Sequence, residues 1–539
     1  MAVRAESSPV SEPMRSAACA AALPVWTRIA LAAVIIAGIA LRIIAPETTV
    51  FCNDQARACA LAQDVAEGRW ESGGLVNSGG FRNAPGYVYL LAAVWRVWPD
   101  PQALLLFTML TNIAALAASA YLCYRWVGAA AAWWGLAFFA AAPWAIHYCR
   151  WIWAQDLLFP AALLVYAAVW AWLCRGRRWA ACGVILALAF LTHIHLAGVV
   201  LALALVLLVL AWRVRPPGFP VAVGLVVAAA SFAPYVAAWH PRMPPAERVG
   251  YRHVWRAVPA AGMSVSGLNW SLEFRGGYPH FAQYLGWRRW PFEIVMVTPV
   301  LLLAAGLVLA GREIRRGGQT AGAVVDESGH SRATRRLPPL GLIVSLSLLI
   351  PAAFILLAIR TSPTYMPLWY PLPFAIVGFG SERLLRWKPG PVWQRAVSVL
   401  LFLILFVELG FFASQLQYLE SHGGVPGSPL SRSSAGLDAD LEQLVRNVTS
   451  AEVWVQYDGE SLIMDEATAY RFRRAAWAGS APGRTLIHYI PPWEGTSWSD
   501  ELPAAPPTAE RAYQVRPWHG RQQRDGHVLR VPEPETTHP

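Results

Sequence analysis

The stretch Phe51-Cys52-Asn53-Asp54-Gln55-Ala56-Arg57 decides how this chain is read. It follows the first long apolar segment, Ile29 to Ile44, and opens a polar, Gly-rich run that carries Arg57, Arg82 and Asn83. An acid at the mouth of a membrane span is costly unless it has a task. Asp54 therefore points to an active site at the membrane surface, on the side where the first span exits.

The rest of the chain supports a membrane setting. Apolar residues make up 56% of it and charged residues only 14%. The apolar residues come in blocks that approach the roughly 20 residues needed to cross a bilayer, and soluble domains do not repeat such blocks. The net charge is +11, but the basic residues form short clusters between apolar blocks. That distribution signals topology rather than a nucleic-acid footprint, so membrane lipids and no nucleic acid are the expected surroundings. Almost all the basic residues are Arg; Lys388 is the only Lys. Residues 1–27 show no cleavage site beside a short apolar core, so the first span reads as an uncleaved anchor.

The basic clusters count the spans. Arg4, Arg15 and Arg28 precede the first. Arg125, the group Arg175, Arg177 and Arg178, and the pair Arg213 and Arg215 follow later blocks. Two polar loops hold Arg312 to Arg336 and Arg383 to Arg395. Placing all of these inside requires an even number of crossings between clusters. Spans then break near His147 to Arg150, near Thr192 to His195 and near Arg360 to Tyr365. The fold class is an all-α polytopic membrane protein of about 11 transmembrane helices. It has interfacial helices in the first outer loop and a small C-terminal mixed α/β extracytoplasmic domain.

The divisions are a cytoplasmic tail (1–27), a transmembrane domain (28–414) and an extracytoplasmic domain (415–539). Outer loops cover 46–102 and 239–290, and a cytoplasmic linker covers 312–338. The setting is a plasma (inner) membrane, with the N-terminus cytoplasmic and the C-terminal domain outside. In the first outer loop, Asp54 to Glu67 and Asn83 to Trp95 are expected as surface helices; the second is too short to cross. In the tail, Asp438 to Val448 reads as a helix, and Val453 to Tyr457 and Thr485 to Ile490 as strands.

This topology makes distant residues converge. Asp54, Arg57, Arg82, Arg150, Asp156, His193, His195 and Arg360 all fall on the outer side or just inside its boundary. Blander readings exist for some. Arg150 and Arg360 could anchor to headgroups, and Asp156 could cap a helix. His193 and His195 are two apart and share no helical face, which disfavours a metal pair. Cys52, Cys59 and Cys149 fall outside, where a disulfide can form, but nothing selects a pair. Asn447-Val448-Thr449 fits the glycosylation acceptor pattern. No phosphate-cradling Gly-rich loop is present, which disfavours ATP-driven transport.

In this order the motifs resemble the C-superfamily integral-membrane glycosyltransferases, in the branch of the protein O-mannosyltransferases and lipid A aminoarabinose transferases. Asp54-Gln55 matches an Asp-Glu pair after the first span, and Ala60 to Gly68 matches an Ala/Gly-rich surface helix. Arg82-Asn83-Ala84-Pro85-Gly86-Tyr87 matches the segment before the second span, and Arg150 to Asp156 a later Arg-to-Asp stretch. Tyr365-Met366-Pro367-Leu368-Trp369-Tyr370-Pro371 resembles a late Tyr/Pro segment, which brings Tyr365 and Tyr370 into the candidate site. The resemblance covers roughly residues 25–415 and departs at three points. Gln55 replaces Glu, Arg82 or Asn83 must serve for a Lys, and Thr192-His193 replaces Thr-Lys.

The resemblance implies a polyprenyl-phosphate sugar donor and a lipid, glycan or protein acceptor. The residues fit that chemistry. Asp54 is the candidate base for an inverting attack. Arg57, Arg82, Arg150 and Arg360 are candidates for the leaving phosphate. Asp156 orients the sugar or shares a divalent cation with Asp54, and two carboxylates leave the metal requirement open. The rival readings are a lipid-linked substrate transporter or carrier without chemistry, and a non-catalytic membrane scaffold. A transporter more often places its polar residues at mid-membrane within internal repeats.

Overall fold

The computed structural model describes residues 23–49, 53–75, 82–238, 256–268, 278–320, 337–359, 363–388 and 390–422, and three strands beyond them. Among the described residues, seven helical segments are long and apolar enough to cross a membrane. They include α1 (Val25–Ile43), α4 (Pro101–Val127), α10 (Gly218–Ala237), α15 (Pro339–Leu356) and α17 (Pro391–His422). The other two are Ala154–Cys174, which contains α7 (Leu158–Val169), and Tyr278–Arg316. The latter joins α12 (Tyr278–Leu285), α13 (Arg289–Val295) and most of α14 (Val297–Thr320). The chain is a polytopic helical membrane protein.

Four further stretches expected to cross form shorter helices. These are α5 (Ala129–Ala141), α8 (Ala180–Ile194), α9 (Gly198–Ala211) and α16 (Leu372–Trp387). Packing explains why a short helix suffices for α16. Every residue from Leu372 to Ser381 is buried. A methyl group at Gly378 would collide with the backbone of Ala131 and Gly135 on α5. One at Gly380 would lie 2.9 Å from the Leu302 carbonyl oxygen and 3.2 Å from the Cα of Gly306, both on α14. Small residues permit this backbone approach, which supplies the dispersion contact that holds helices together in lipid. A helix enclosed by protein does not face the hydrocarbon over its whole length.

The loop between α1 and α4 folds as α2 (Asn53–Ala66) and α3 (Gly86–Val97). The two pack through Val65, Val88 and Ala92. Arg96 of α3 donates to the carbonyls of Ala66 (3.3 Å) and Val65 (3.4 Å) and so closes the C-terminal end of α2. The remaining helices are α6 (Pro143–His147), which ends where a break is expected, and α11 (Ala257–Met263) in the second outer loop.

α17 runs on to His422, past the residue at which the tail is expected to begin. Ring contacts hold its last turns: Phe281 and Tyr284 lie 5.2 and 5.3 Å from Tyr418, which stacks on His422 at 4.3 Å. In the tail, β1 (Glu452–Tyr457), β2 (Arg484–Tyr489) and β3 (Arg511–Val515) form a parallel sheet in that order. The expected helix Asp438 to Val448, the residue Arg360, half of the loop 239–290 and most of the linker 312–338 lie outside the described residues.

Candidate active site

Asp54 sits in the first turn of α2 and is half-buried. The indole nitrogen of Trp153 donates to its Oδ2 at 3.1 Å. Trp153 stacks on Trp151 at 5.3 Å, and the His147 ring meets Trp151 edge-on at 4.9 Å. This aromatic run leads into a 3-10 turn, Ala154–Leu157, that carries Asp156. Asp156 is fully buried, and its Oδ2 accepts from the backbone N–H of Trp151 at 2.9 Å. It therefore braces the turn behind it instead of capping α7. Asn112 of α4 donates to the Asp156 carbonyl at 2.9 Å and fixes the turn to the bundle.

The same turn packs on the 3-10 segment Pro363–Trp369. Tyr166 of α7 pins that segment by donating to the Leu368 carbonyl. Tyr365 lies 5.5 Å, ring to ring, from His195 at the break between α8 and α9. His195 is buried and accepts from the Ala197 N–H at 3.0 Å through Nδ1, so its proton resides on Nε2. Burial pulls the imidazole down to about 4 and keeps it neutral.

Asn83 closes the circuit. Its amide donates to the Leu75 carbonyl at 3.1 Å, and its Oδ1 accepts from the Leu196 N–H at 3.2 Å. It thereby staples the first outer loop to the α8–α9 break. Gly86 at the start of α3 presses on His193, where a methyl would lie 2.7 Å from its Cβ. His193 stacks on Phe232 at 4.0 Å and bonds Ser231 at 3.1 Å.

The structure thus joins Asp54, Asp156, Asn83, His193, His195 and Tyr365 into one chain of contacts along a single end of the bundle. Arg57 lies one turn beyond Asp54 and is half-buried. Arg82 is exposed, its side chain lies over Gly73, and its carbonyl accepts from Tyr235 of α10 at 2.6 Å. Two predicted residues have structural work. Arg150 donates to the carbonyls of Leu41, Ile44 and Ala45, each at 2.7 Å, and to the Thr48 hydroxyl at 3.1 Å. Its guanidinium closes the C-terminal end of α1, where carbonyls have no helical partner. Tyr370 sits among Phe139, Phe159 and Phe374, and its hydroxyl donates to the Ser264 carbonyl at 3.3 Å.

Sequence reasoning missed Trp153, Tyr87, Asn112 and Arg42. Buried Arg42 ties α1 to α5 by donating to the carbonyls of Ala140 (2.7 Å) and Phe139 (3.1 Å). The alternation Trp151-Ile152-Trp153 beside an arginine was the available signal for Trp153. Among the described residues no group of three or more His, Cys, Asp or Glu side chains gathers to hold a metal ion. Cys59 and Cys149 are buried, and Cys52 lies outside the described residues.

No protein-family model matches the chain, and no curated protein does. Solved structures do. ArnT from Cupriavidus metallidurans in the apo state superposes with a TM-score of 0.53 at 14% identity, over 86% of this chain and 85% of that one. The chain has the ArnT fold. ArnT is a lipid A aminoarabinose transferase with the GT-C glycosyltransferase fold. ArnT bound to undecaprenyl phosphate matches at a TM-score of 0.45 and 15% identity, over 86% of each chain. An Archaeoglobus fulgidus oligosaccharyltransferase with Zn and sulfate matches at 0.47 and 12% identity, over 78% of this chain and 55% of that one. At these identities the ArnT likeness speaks for the fold.

Proposed function

We propose that the protein transfers a sugar from a polyprenyl-phosphate donor to an acceptor at the extracytoplasmic face of the plasma (inner) membrane. The observation that carries the reading is the placement of Asp54. Its carboxylate is half-buried, held by Trp153, and set among the outer residues that close one end of an ArnT-like bundle. ArnT has been solved with undecaprenyl phosphate, a lipid of the class proposed here.

In this reading Asp54 takes the proton of an acceptor hydroxyl or amine as that group attacks the anomeric carbon. The new bond forms opposite the lipid phosphate. The bond from the anomeric carbon to the phosphate oxygen breaks, its electron pair leaves with the polyprenyl phosphate, and the centre inverts. Arg57, Arg82 and Arg360 are assigned to the phosphate, because guanidinium groups match its geometry. Arg150 is not assigned to it, since its N–H groups serve α1. Asp156 orients the donor sugar, and His195 and Tyr365 form a wall beside it.

The test is transfer in vesicles supplied with labelled polyprenyl-phosphate sugars, comparing wild type with Asp54→Asn. Transfer that is present in wild type and lost in the variant supports the reading. Movement of label across the bilayer without transfer would favour a transporter and overturn it.

A further inference from the structure

Tyr87 has a place in the outer cluster that the proposed chemistry does not yet use. It lies on α3, the helix that packs against α2, which carries Asp54. Its side chain is only 2% exposed, and its hydroxyl has no hydrogen-bond partner. Burial, and after it the charges of Asp156, Cys59 and Asp54, push the phenol well above its ordinary range. The hydroxyl therefore keeps its proton and lies within electrostatic reach of both acids of the site.

An unpartnered buried hydroxyl costs about 1–3 kcal/mol, and native structures hold few of them. Phenylalanine would fill the same space without that cost. The surrounding chemistry restricts what could satisfy the group. Ionised carboxylates accept hydrogen bonds and cannot donate them. A phosphate placed there would meet two like charges. A sugar hydroxyl fits both demands: its O–H donates to a carboxylate while its oxygen accepts from the phenol.

We propose that Tyr87, Asp54 and Asp156 frame a subsite for a hydroxyl of the donor sugar, with Tyr87 as the donating group. The inference rests on the transferase reading above. It assigns the sugar to the Tyr87 side of Asp54 and leaves the lipid phosphate to the arginines.

The experiment uses the full-length protein in lipid nanodiscs. The probes are undecaprenyl phosphate alone and undecaprenyl phosphate carrying glucose, mannose or galactose. Binding is measured by competition, and thermal stability is measured in parallel. Wild type should bind at least one sugar-linked lipid more tightly than the bare lipid phosphate. Tyr87→Phe should erase about tenfold of that preference, the loss of one hydrogen bond. Its affinity for undecaprenyl phosphate alone should stay unchanged. Its thermal stability should match or exceed wild type, because the deleted hydroxyl has no protein partner to lose. A Tyr87→Phe protein that keeps the full preference overturns the subsite alone. So does a wild type that prefers none of the three sugars, or a variant whose stability falls along with its binding. A wild type that binds none of the lipids, the bare phosphate included, overturns the transferase reading and the subsite with it.

Discussion

Asn83 and Arg150 differ from Asp54 and Tyr87 in how their polar atoms are used, although all four gather at the same end of the bundle. Asn83 bonds Leu75 and Leu196 from both ends of its amide, and Arg150 serves three carbonyls and a hydroxyl at the end of α1. Asp54 accepts from the Trp153 indole, and the Tyr87 hydroxyl is buried with nothing to bond. A group bonded on all sides is part of the frame. A buried hydroxyl left without a partner, as at Tyr87, is available to a substrate. The outer cluster thus divides into a scaffold half and a reactive half, and each can be tested against the other.

The largest expected effect belongs to the reactive half. Asp54→Asn should lower transfer by about 10²–10⁴, the usual loss for a general base, with donor binding and thermal stability near wild type. Full transfer by that variant would erase the distinction. Arg150→Ala should act in the opposite sense. It strands several buried carbonyls at the end of α1 and should cost about 3–5 kcal/mol of stability, read as a large fall in melting temperature or in folded yield. A normally stable Arg150→Ala protein that has lost lipid-phosphate binding would move Arg150 to the reactive half.

Asn83→Ala should cost about 2 kcal/mol, and protease cleavage within 67–75 should rise as the loop loses its staple. Unchanged cleavage there would remove Asn83 from the scaffold. The smallest effect is that of His195, whose imidazole is held near 4 by burial. The unfolded chain binds a proton below about 6.5 while the folded chain does not. Stability from this group is therefore complete above 6.5 and is lost as the pH falls toward 4. The loss should be about 1 kcal/mol at pH 5.5, and His195→Gln should flatten that part of the melting curve. A wild type with no such acid slope would place His195 in a more solvated setting.

The sequence made the membrane class legible because hydropathy is additive along a chain, and apolar blocks need no partner to be recognised. The short helices α2 and α3 were visible for the same reason, as was the place of Asp54 just after the first span. What a polar side chain bonds to is not written locally. Arg150 and Arg82 look alike in sequence, and only the fold shows that one faces the end of α1 while the other is exposed. Tyr87 was quoted within a motif but not weighed, because its importance comes from two acids distant in sequence from each other. The continuation of α17 to His422 was not legible for a related reason: its last turns are held by Phe281 and Tyr284 from another segment.

The glycine contacts of α16 bear on how the molecule could move. Backbone seated on backbone on two sides leaves no soft side chain to yield, so α5, α14 and α16 act mechanically as a stiff keel. Any widening that admits a long isoprenoid tail from the bilayer must be borne by the rim. There α10 buries only Pro220, Gly224 and Tyr235, and Tyr235 holds the carbonyl of Arg82. A tilt of that helix would pull on the segment that carries Arg82, coupling movement of the rim to a residue proposed as a phosphate ligand.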